Sequence, residues 1–256
     1  MGATKKVSKV PRNVFNVSGG LSSAYMAIHY GKPGDLFIFT DTGREHPATY
    51  EFLNKLEVAL NSAIIRTSYL NSPDPFRALL SKSKYRGIPN MAKRSCTITL
   101  KIRTAKAYLK QNKILYFNNF IGFRADEQNR VLNYSAKIAK VTNHYPMIEH
   151  GINKQMVNHF WNQQPFTLEI PPILGNCTLC FMKGKNAIIN ILKVYPELAA
   201  PWIADEQASK LAWDKKNQTY IKGTTYQQLL DIASNNLFKD VDLSNITPAY
   251  SCKCST

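Results

Sequence analysis

The feature that most constrains the fold is an alternation of short apolar runs and helical segments, with a polar turn after each apolar run. The first unit, residues 13–28, reads as an apolar strand, a turn rich in Ser and Gly, and the start of a helix. Residues 36–40 and 63–66 are further short strands of the buried type, and a helix with one apolar face begins at Pro47. This order predicts right-handed crossovers between parallel strands, and therefore an α/β fold with a doubly wound, mainly parallel sheet.

The turn at residues 18–23 has the composition of an anion site. Its two glycines let the backbone turn sharply. The N–H groups at the start of the following helix, together with three serine hydroxyls, attract an anion such as phosphate. An ordinary strand-to-helix turn in which a serine caps the helix is the alternative interpretation. The residues that would hold the anion are Ser18, Gly19, Gly20, Ser22 and Ser23.

A second polar loop, residues 41–46, follows the second strand. Ligands of doubly wound sheets bind at the carboxyl ends of the strands, so this loop is predicted to lie beside the turn at residues 18–23. It contains His46 next to Glu45. His46 is a candidate for acid–base chemistry, and a structural residue at the entry of the next helix is the alternative.

A third polar loop, residues 122–130, follows a predicted strand at residues 117–123. In it Arg124 and Arg130 flank a pair of carboxylates. Guanidinium groups form paired hydrogen bonds with phosphate or sulfate, so these arginines are predicted to clamp such a group. A solvated surface network of charges is the alternative.

The charge of the chain indicates a polyanionic partner. Thirty-three Lys and Arg against 17 Asp and Glu leave a net charge of +16, which suits nucleic acid, a nucleotide or an anionic membrane surface. No apolar run approaches the roughly 20 residues that span a bilayer. Residues 1–12 are polar and Lys-rich, unlike a signal peptide. We therefore expect a cytoplasmic protein with no membrane partner and a basic arm over residues 1–12.

The five cysteines are an odd number in a chain with no export signal, which favours metal, cluster or redox chemistry over disulfides. Cys96, Cys177 and Cys180 suit a [4Fe–4S] cluster, either with one iron open or with a fourth ligand from the tail. Cys177 and Cys180 together with Cys252 and Cys254 would instead suit zinc. Reduced thiols without a metal are the third alternative.

Several motifs, in this order along the chain, resemble one known family. The turn at residues 18–23 looks like the pyrophosphate loop of the adenine-nucleotide α-hydrolase (PP-loop) superfamily. Residues 39–52 are similar to the second motif of its phosphoadenylyl-sulfate (PAPS) reductase branch. The other segments that fit this branch are Cys96 with residues 100–102, residues 122–127 and residues 176–184. The resemblance covers residues 14–192.

The resemblance implies that the ligand is an adenine nucleotide, either ATP or a sulfated adenylate, with chemistry at or beside the α-phosphate. It implies that the turn at residues 18–23 holds the phosphates, with Mg²⁺ as an accompanying ion. Asp41 and Thr42 would line the nucleotide pocket, and Arg124 and Arg130 would act as electrophilic clamps. The cysteines implied as cluster ligands or sulfur carriers are Cys96, Cys177 and Cys180.

Two positions depart from the pattern of the family. The pyrophosphate loop often carries Asp before its last serine, where this chain has Ser22, and this bears on the binding of Mg²⁺ and pyrophosphate. Sulfonucleotide reductases carry their catalytic cysteine in a C-terminal Glu-Cys-Gly stretch, where this chain has Cys252 and Cys254 in a Ser-Cys-Lys-Cys tail. Either cysteine is a candidate nucleophile, and reduction would require a thiol electron donor.

The sequence leaves three functions open. Sulfonucleotide reduction is slightly preferred. Adenylation followed by thiolation of a nucleic acid accounts better for the charge of +16. A non-catalytic module that binds nucleotide or nucleic acid is favoured by Ser22. In each case we expect residues 13–150 to form the nucleotide-binding α/β domain and residues 151–256 a helical, cysteine-bearing region packed on it.

Overall fold

A computed structural model describes residues 10–81, 87–133, 137–138, 140–171, 173–212 and 218–235. The strands in these residues are β1 (Arg12–Asn16), β2 (Leu36–Asp41), β3 (Ile64–Ser68), β4 (Phe117–Phe120), β5 (Lys137–Ile138) and β6 (Val141–His144). They form one sheet in the order β3-β2-β1-β4-β6-β5, in which β5 alone is antiparallel to its neighbour. The predicted doubly wound, mainly parallel α/β fold is confirmed.

Helices connect the strands and form the C-terminal part of the described chain. They are α1 (Leu21–Tyr30), α2 (Pro47–Leu60), α3 (Pro75–Leu80), α4 (Thr104–Gln111), α5 (Pro146–Glu149), α6 (Lys154–Asn162), α7 (Lys185–Val194), α8 (Ala200–Ala212) and α9 (Tyr226–Ser234). A π-helix, Cys96–Arg103, leads directly into α4. No helix in the part of the chain that the structure describes is long and apolar enough to cross a membrane.

Both faces of the sheet are covered by apolar side chains. On one face α1, α2 and α6 share a core that includes Phe15, Leu53 and Trp161. The indole Nε1 of Trp161 donates to the backbone oxygen of Leu21 at 3.0 Å, so α6 is also held to the start of α1 by a hydrogen bond. On the other face α4 packs against β1, β2 and β4.

A separate core lies beyond the edge of the sheet. It joins α7, α8 and α9 to α3 and to the π-helix, with Phe76 and Trp202 among its buried rings. This core therefore brings the segment around Cys177 to the carboxyl ends of the strands. The predicted division at residue 150 stays a prediction. Residues 1–9 of the predicted basic arm, Cys252 and Cys254 lie outside the described residues.

Two strands, β5 and β6, were not predicted from the sequence. β6 reads Val-Thr-Asn-His and is half-buried along its whole length, so it carries no apolar run that would indicate a strand. It pairs in parallel with β4, and the Asn119 amide donates to the Asn143 side chain at 2.9 Å across the pair. β4 itself ends at Phe120 rather than at residue 123, because the backbone turns tightly there, with the Phe123 N–H donating to the Ile121 oxygen at 2.9 Å.

Candidate active site

The turn after β1 is shaped by Gly19 and by one serine. Gly19 has φ +78°, and a Cβ at this position would lie 2.3 Å from Thr49 Cγ2, so only glycine fits. Ser23 Oγ accepts from the Ser18 N–H and donates to the Gly20 oxygen, both at 3.0 Å. Gly20 is the N-cap of α1 and supplies no side-chain cap, so the interpretation in which a serine caps the helix is wrong.

The loop after β4 packs directly on this turn. A Cβ on Gly122 would lie 2.9 Å from Ser23 Cα, and the glycine therefore permits the close approach of the two backbones. Two residues later, the Arg124 guanidinium donates to Ser22 Oγ at 3.0 Å. The structure thus brings Ser22 and Arg124 together, as expected for residues at one sheet edge.

Carboxylates of the same loop bind both of its arginines. Arg124 donates to Asp126 at 3.0 and 2.9 Å and lies 3.3 Å from Glu127, and Arg130 donates to Glu127 at 2.7 Å. The hydrogen bond from Arg124 is the main cause that lowers the pKa of Asp126 below its ordinary value. The Arg130 guanidinium also lies 4.3 Å from the centre of the Phe123 ring. The arginines are therefore held in place by their own loop.

A cleft of about 200 Å³ opens in front of these groups. It is lined by Ser18, Gly20, Ser22 and Ser23 of the turn, and by Arg124 and Arg130. The polar residues that line it but were not predicted as site residues are Lys101, Glu127, Lys154, Asn158 and Asn176. We call this cavity the anion cleft.

Asp41 and His46 do not line the anion cleft, and each forms hydrogen bonds with residues close to it in the sequence. Asp41 accepts from the Gly43 N–H at 2.7 Å and from the Tyr50 hydroxyl at 2.9 Å. Burial and the neighbouring Asp41 raise the pKa of Tyr50. His46 caps α2, because its Nδ1 accepts from the Ala48 N–H at 3.2 Å, and burial lowers the pKa of its imidazole. Neither residue lines the cavities described here, and their nucleotide-binding and acid–base roles stay predictions.

The segment around Cys177 pairs with the loop after β2. Glu45 and Cys177 form an antiparallel bridge, and the His46 N–H donates to the Asn176 oxygen at 2.7 Å. The Asn176 side chain in turn donates to the Ser18 oxygen at 3.3 Å. This segment therefore touches two of the three predicted polar loops.

A buried arginine fixes the same loop from the other side. The Arg44 guanidinium donates to Asp205 Oδ2 of α8 at 2.6 Å and to Asp74 Oδ1 at 3.3 Å. Tyr220 donates to the same oxygen of Asp205 at 2.9 Å. The C-terminal helices thus hold the loop after β2 through a network of buried polar groups.

Cys96, Cys177 and Cys180 line one small, mainly apolar cavity, which we call the thiol pocket. The three cysteines are present as thiols. Glu45, whose side chain is 0% exposed, accepts from the Thr42 hydroxyl at 3.0 Å and lies 3.5 Å from Lys101 Nζ. The other residues of its lining are Phe76, Thr97, Phe181 and Trp202. Lys101 lines both the thiol pocket and the anion cleft, and therefore lies between them.

The thiol pocket bears on the two predicted metal sites. The described residues contain no group of three His, Cys, Asp or Glu that would hold one metal ion. The predicted zinc set includes Cys252 and Cys254, which lie outside these residues. Iron–sulfur clusters are bound by thiolates on separate irons, so three thiols around one cavity match that donor set in kind. The cluster and the zinc site both stay predictions.

Fold and site together define a doubly wound α/β protein with a nucleotide-binding fold. The family model of the phosphoadenosine phosphosulfate reductase domain matches residues 12–174, and the chain belongs to this family. The resemblance inferred from the motifs is confirmed.

Two known proteins illustrate the spread of the similarity. The chain is 27% identical over 214 residues to the uncharacterized nin region protein ORF290 of Escherichia phage lambda. This match covers 69% of this chain and 68% of the relative. Among solved structures, it is similar to phosphoadenylyl-sulfate (PAPS) reductase from Candida auris in a phosphate complex. That match has 13% identity and a TM-score of 0.44, over 62% of this chain and 75% of the other.

Proposed function

We propose that the chain is an enzyme that cleaves a sulfonucleotide reductively. The nucleotide would bind in the anion cleft with its phosphate at the turn after β1. Its sulfo group would face Lys101 and the thiol pocket. The proposal rests on membership of the family and on the charges that line the cleft.

The observation that carries this proposal is the lack of an available carboxylate in the cleft. Among the described residues of its lining, Glu127 is the one carboxylate, and it is bound by Arg124 and Arg130. Mg²⁺ with pyrophosphate usually requires carboxylate oxygens from the protein. A phosphosulfate requires cations and N–H donors, which the cleft offers in Lys154 and the start of α1. This balance favours the sulfonucleotide over Mg²⁺ with ATP.

The proposed reaction uses two thiols in turn. The thiolate of Cys252 or Cys254 attacks the sulfur of the sulfo group, and the bond from that sulfur to the phosphate oxygen breaks. The electron pair leaves with the nucleotide, whose charge Arg124 and Lys101 stabilise. A second thiol, from the other tail cysteine or from a thiol electron donor, then attacks the cysteine sulfur and releases sulfite. The two thiols lose two electrons and two protons and become a disulfide, and the sulfur of the substrate gains the two electrons.

A [4Fe–4S] cluster would be held by Cys96, Cys177 and Cys180. When bound, it would supply iron that can act as a Lewis acid. The steps above assign binding, charge stabilisation and thiol attack to the residues of this chain alone.

Product analysis tests the proposal. The chain, purified anaerobically, is incubated with adenylyl sulfate, PAPS or ATP in the presence of dithiothreitol, and sulfite and pyrophosphate are measured. We expect sulfite from one sulfonucleotide and no pyrophosphate from ATP. One of the two variants Cys252→Ala and Cys254→Ala, the one that lacks the attacking thiol, is expected to abolish the release of sulfite, whereas dithiothreitol can replace the other thiol. Absence of both products would contradict both sulfonucleotide reduction and adenylation, and would favour a non-catalytic nucleotide-binding module.

Adenylation and thiolation of a nucleic acid is the second candidate. The net charge of +16 favours it, because a nucleic acid substrate requires a basic surface. In the same assay it predicts pyrophosphate from ATP and a rise in its release when nucleic acid is added. Sulfite from a sulfonucleotide without that pyrophosphate would exclude it.

A further inference from the structure

Most of the net positive charge of the chain comes from one segment without acidic residues. Residues 75–125 contain 12 Lys and Arg and no Asp or Glu, whereas the whole chain has a net charge of +16. The buried cations of this segment bind carboxylates, since Lys101 lies 3.5 Å from Glu45 and Arg124 lies 2.9 Å from Asp126. The proposed reaction gives no role to the exposed cations of the segment.

Four of these exposed cations lie in a row along α4. They are Arg103, Lys106, Lys110 and Lys113. Arg103 precedes α4 with helical φ and ψ, and side chains three or four residues apart lie on the same side of a helix. Lys113 follows the end of α4, and its N–H donates to the Lys110 oxygen at 3.0 Å. We call these four residues the α4 row.

The α4 row faces away from the sheet. Ala105 and Leu109 of the same helix are 7% and 2% exposed, and they pack against the strands. Within the part of the chain that the structure describes, Lys106, Lys110 and Lys113 form no ion pair. The positive charge of these lysines is therefore open to a partner.

The stability of the helix does not explain the α4 row. Like charges three or four residues apart repel one another, and residues 75–125 contain no acidic residue that would offset the repulsion. A cation at the C-terminal end of a helix is favourable, which accounts for Lys110 but not for Arg103 or Lys106. A bound polyanion would compensate for this repulsion.

The dimensions of the α4 row match the backbone of a duplex nucleic acid. The row spans residues 103–113, which corresponds to about 15 Å along a helix axis. Phosphates of one strand are about 3.4 Å apart along the axis of a duplex, so each of the four cations can reach a phosphate. Lys140 extends the positive charge beyond Lys113, because its backbone oxygen accepts from the Phe117 N–H at 3.2 Å, at the start of β4.

The surroundings of the α4 row favour nucleic acid over a protein or a membrane. The core of a protein interface and a helix bound to lipid both require exposed apolar or aromatic side chains. No large hydrophobic residue between residues 103 and 113 is exposed, and Gln111 offers an exposed amide of the kind that binds phosphate and sugar. A single strand would require exposed rings for stacking, and Tyr108 is half-buried, so a duplex fits better.

We propose that the α4 row binds the phosphate backbone of a double-stranded nucleic acid without recognising its sequence. This inference goes beyond the proposed reaction and does not depend on it. Arg103 follows Lys101 by two residues on the π-helix, so a bound duplex would begin near the anion cleft and run along α4.

Fluorescence anisotropy with a labelled DNA duplex, measured on the whole chain at several salt concentrations, tests the α4 row. The test variant combines Lys106→Gln with Lys110→Gln, and the matched control combines Lys185→Gln with Lys222→Gln. Lys185 and Lys222 are exposed lysines outside the row, so both double variants lose the same charge. Circular dichroism establishes that each variant folds.

Each lysine that contacts a phosphate contributes about 0.9 to the slope of log K for the duplex against the logarithm of the salt concentration. We expect the test variant to lower this slope by about 1.8 and to weaken the duplex more than tenfold at about 0.1 M salt. The control variant should change both far less. Equal losses in the two double variants would overturn the proposal. Binding to polyglutamate or to phosphatidylserine vesicles that depends on the row and exceeds binding to the duplex would also overturn it, in favour of an acidic protein or a membrane.

Activity measurements keep this result separate from the proposed function. Neither Lys106 nor Lys110 lines the anion cleft or the thiol pocket, so the test variant should bind AMP and release sulfite as the unchanged chain does. Displacement of the duplex by AMP would assign it to the anion cleft and overturn the proposal. A chain that releases no sulfite but binds the duplex through the row would contradict the proposed reaction alone.

Discussion

The anion cleft and the thiol pocket adjoin and share Lys101, but they are built in opposite ways. The arginines of the cleft are held by carboxylates of their own loop, with Asp126 and Glu127 within a few residues of Arg124. The thiol pocket is mainly apolar, and its polar centre, Glu45, is held by Thr42 of its own loop and by Lys101 of the π-helix, a different segment of the chain. We therefore expect substitutions in the cleft to change ligand binding more than stability. Substitutions in the thiol pocket should lower the stability of the fold.

The largest effect on stability is expected from Lys101→Met. The side chains of Lys101 and Glu45 are 8% and 0% exposed, so the variant leaves a buried carboxylate without this cation. Loss of one partner of a buried pair costs about 4 kcal/mol, which urea unfolding would measure. The double variant with Glu45→Gln should recover at least half of the loss. A loss below about 1 kcal/mol would contradict the dependence of the fold on the thiol pocket.

The next effect is expected from Gly19→Ala. Alanine at φ +78° is strained, and its Cβ would overlap Thr49 Cγ2, so we expect a loss of about 3 kcal/mol in the free energy of unfolding. Gly151 is the matched control, since it has φ +68° with open space around it. Gly151→Ala should lose only about 1 kcal/mol. Equal losses would mean that the contact with α2 does not shape the turn.

Arg124→Gln separates binding from folding. It removes the hydrogen bonds to Ser22 and Asp126, while the core around it is unchanged. We expect the affinity for AMP to fall about tenfold. The free energy of unfolding should fall by about 2 kcal/mol, less than in Lys101→Met, because Asp126 is partly exposed and Glu127 keeps its bond to Arg130. Arg12→Gln, which removes an exposed arginine bonded to the Gly34 oxygen, is the control. An unfolding midpoint as low as that of Lys101→Met would refute the comparison.

On the side of the thiol pocket, α8 supplies a titrating group. Burial raises the pKa of Glu206 from 4.5 to about 7, although its oxygens accept from the Tyr220 and Tyr226 N–H groups. Between these values the native state holds a proton that the unfolded state has released, so stability falls as pH rises from about 4.5 to about 7. Glu206→Gln should flatten this fall in urea unfolding measured across that range. The same slope in both proteins would show that Glu206 is not the cause.

The cleft should show the opposite and smaller slope. Arg124 lowers the pKa of Asp126, so its stabilising contribution is present above the ordinary pKa of aspartate and is lost as pH falls through the lowered value. The side chain is 42% exposed, and solvent keeps the effect small. As pH falls below about 4, the unchanged chain should lose more stability than Asp126→Asn does. Thermal unfolding at these pH values would measure it.

The fold was predictable because its signals are local. Each unit of strand, turn and helix is contained in a short stretch, and Pro47 begins α2 as its position indicated. β6 escaped prediction because it is joined to the sheet by the backbone and by the amide pair of Asn119 and Asn143, not by an apolar run.

The candidate site was predictable in part. The turn and the two arginines lie where the sheet edge places them. The contribution of Lys101 was not visible, because the spacing of a π-helix differs from the α-helical spacing used to read the sequence. Asp41 and His46 lie at the predicted edge, but hydrogen bonds within their own loop direct their side chains elsewhere. Position along a sheet follows from the sequence pattern, and side-chain direction does not.

The contact of Asn176 with Ser18 has a consequence for the order of folding. The two residues are 158 positions apart, and Arg44 and Asp205 are 161 apart. At a synthesis rate of about 5–20 residues per second, roughly 10–30 s pass between the emergence of the first loop and the arrival of its partner. During that interval the nascent sheet carries its polar edge uncovered. The candidate site is therefore assembled late, when the chain closes these long-range contacts.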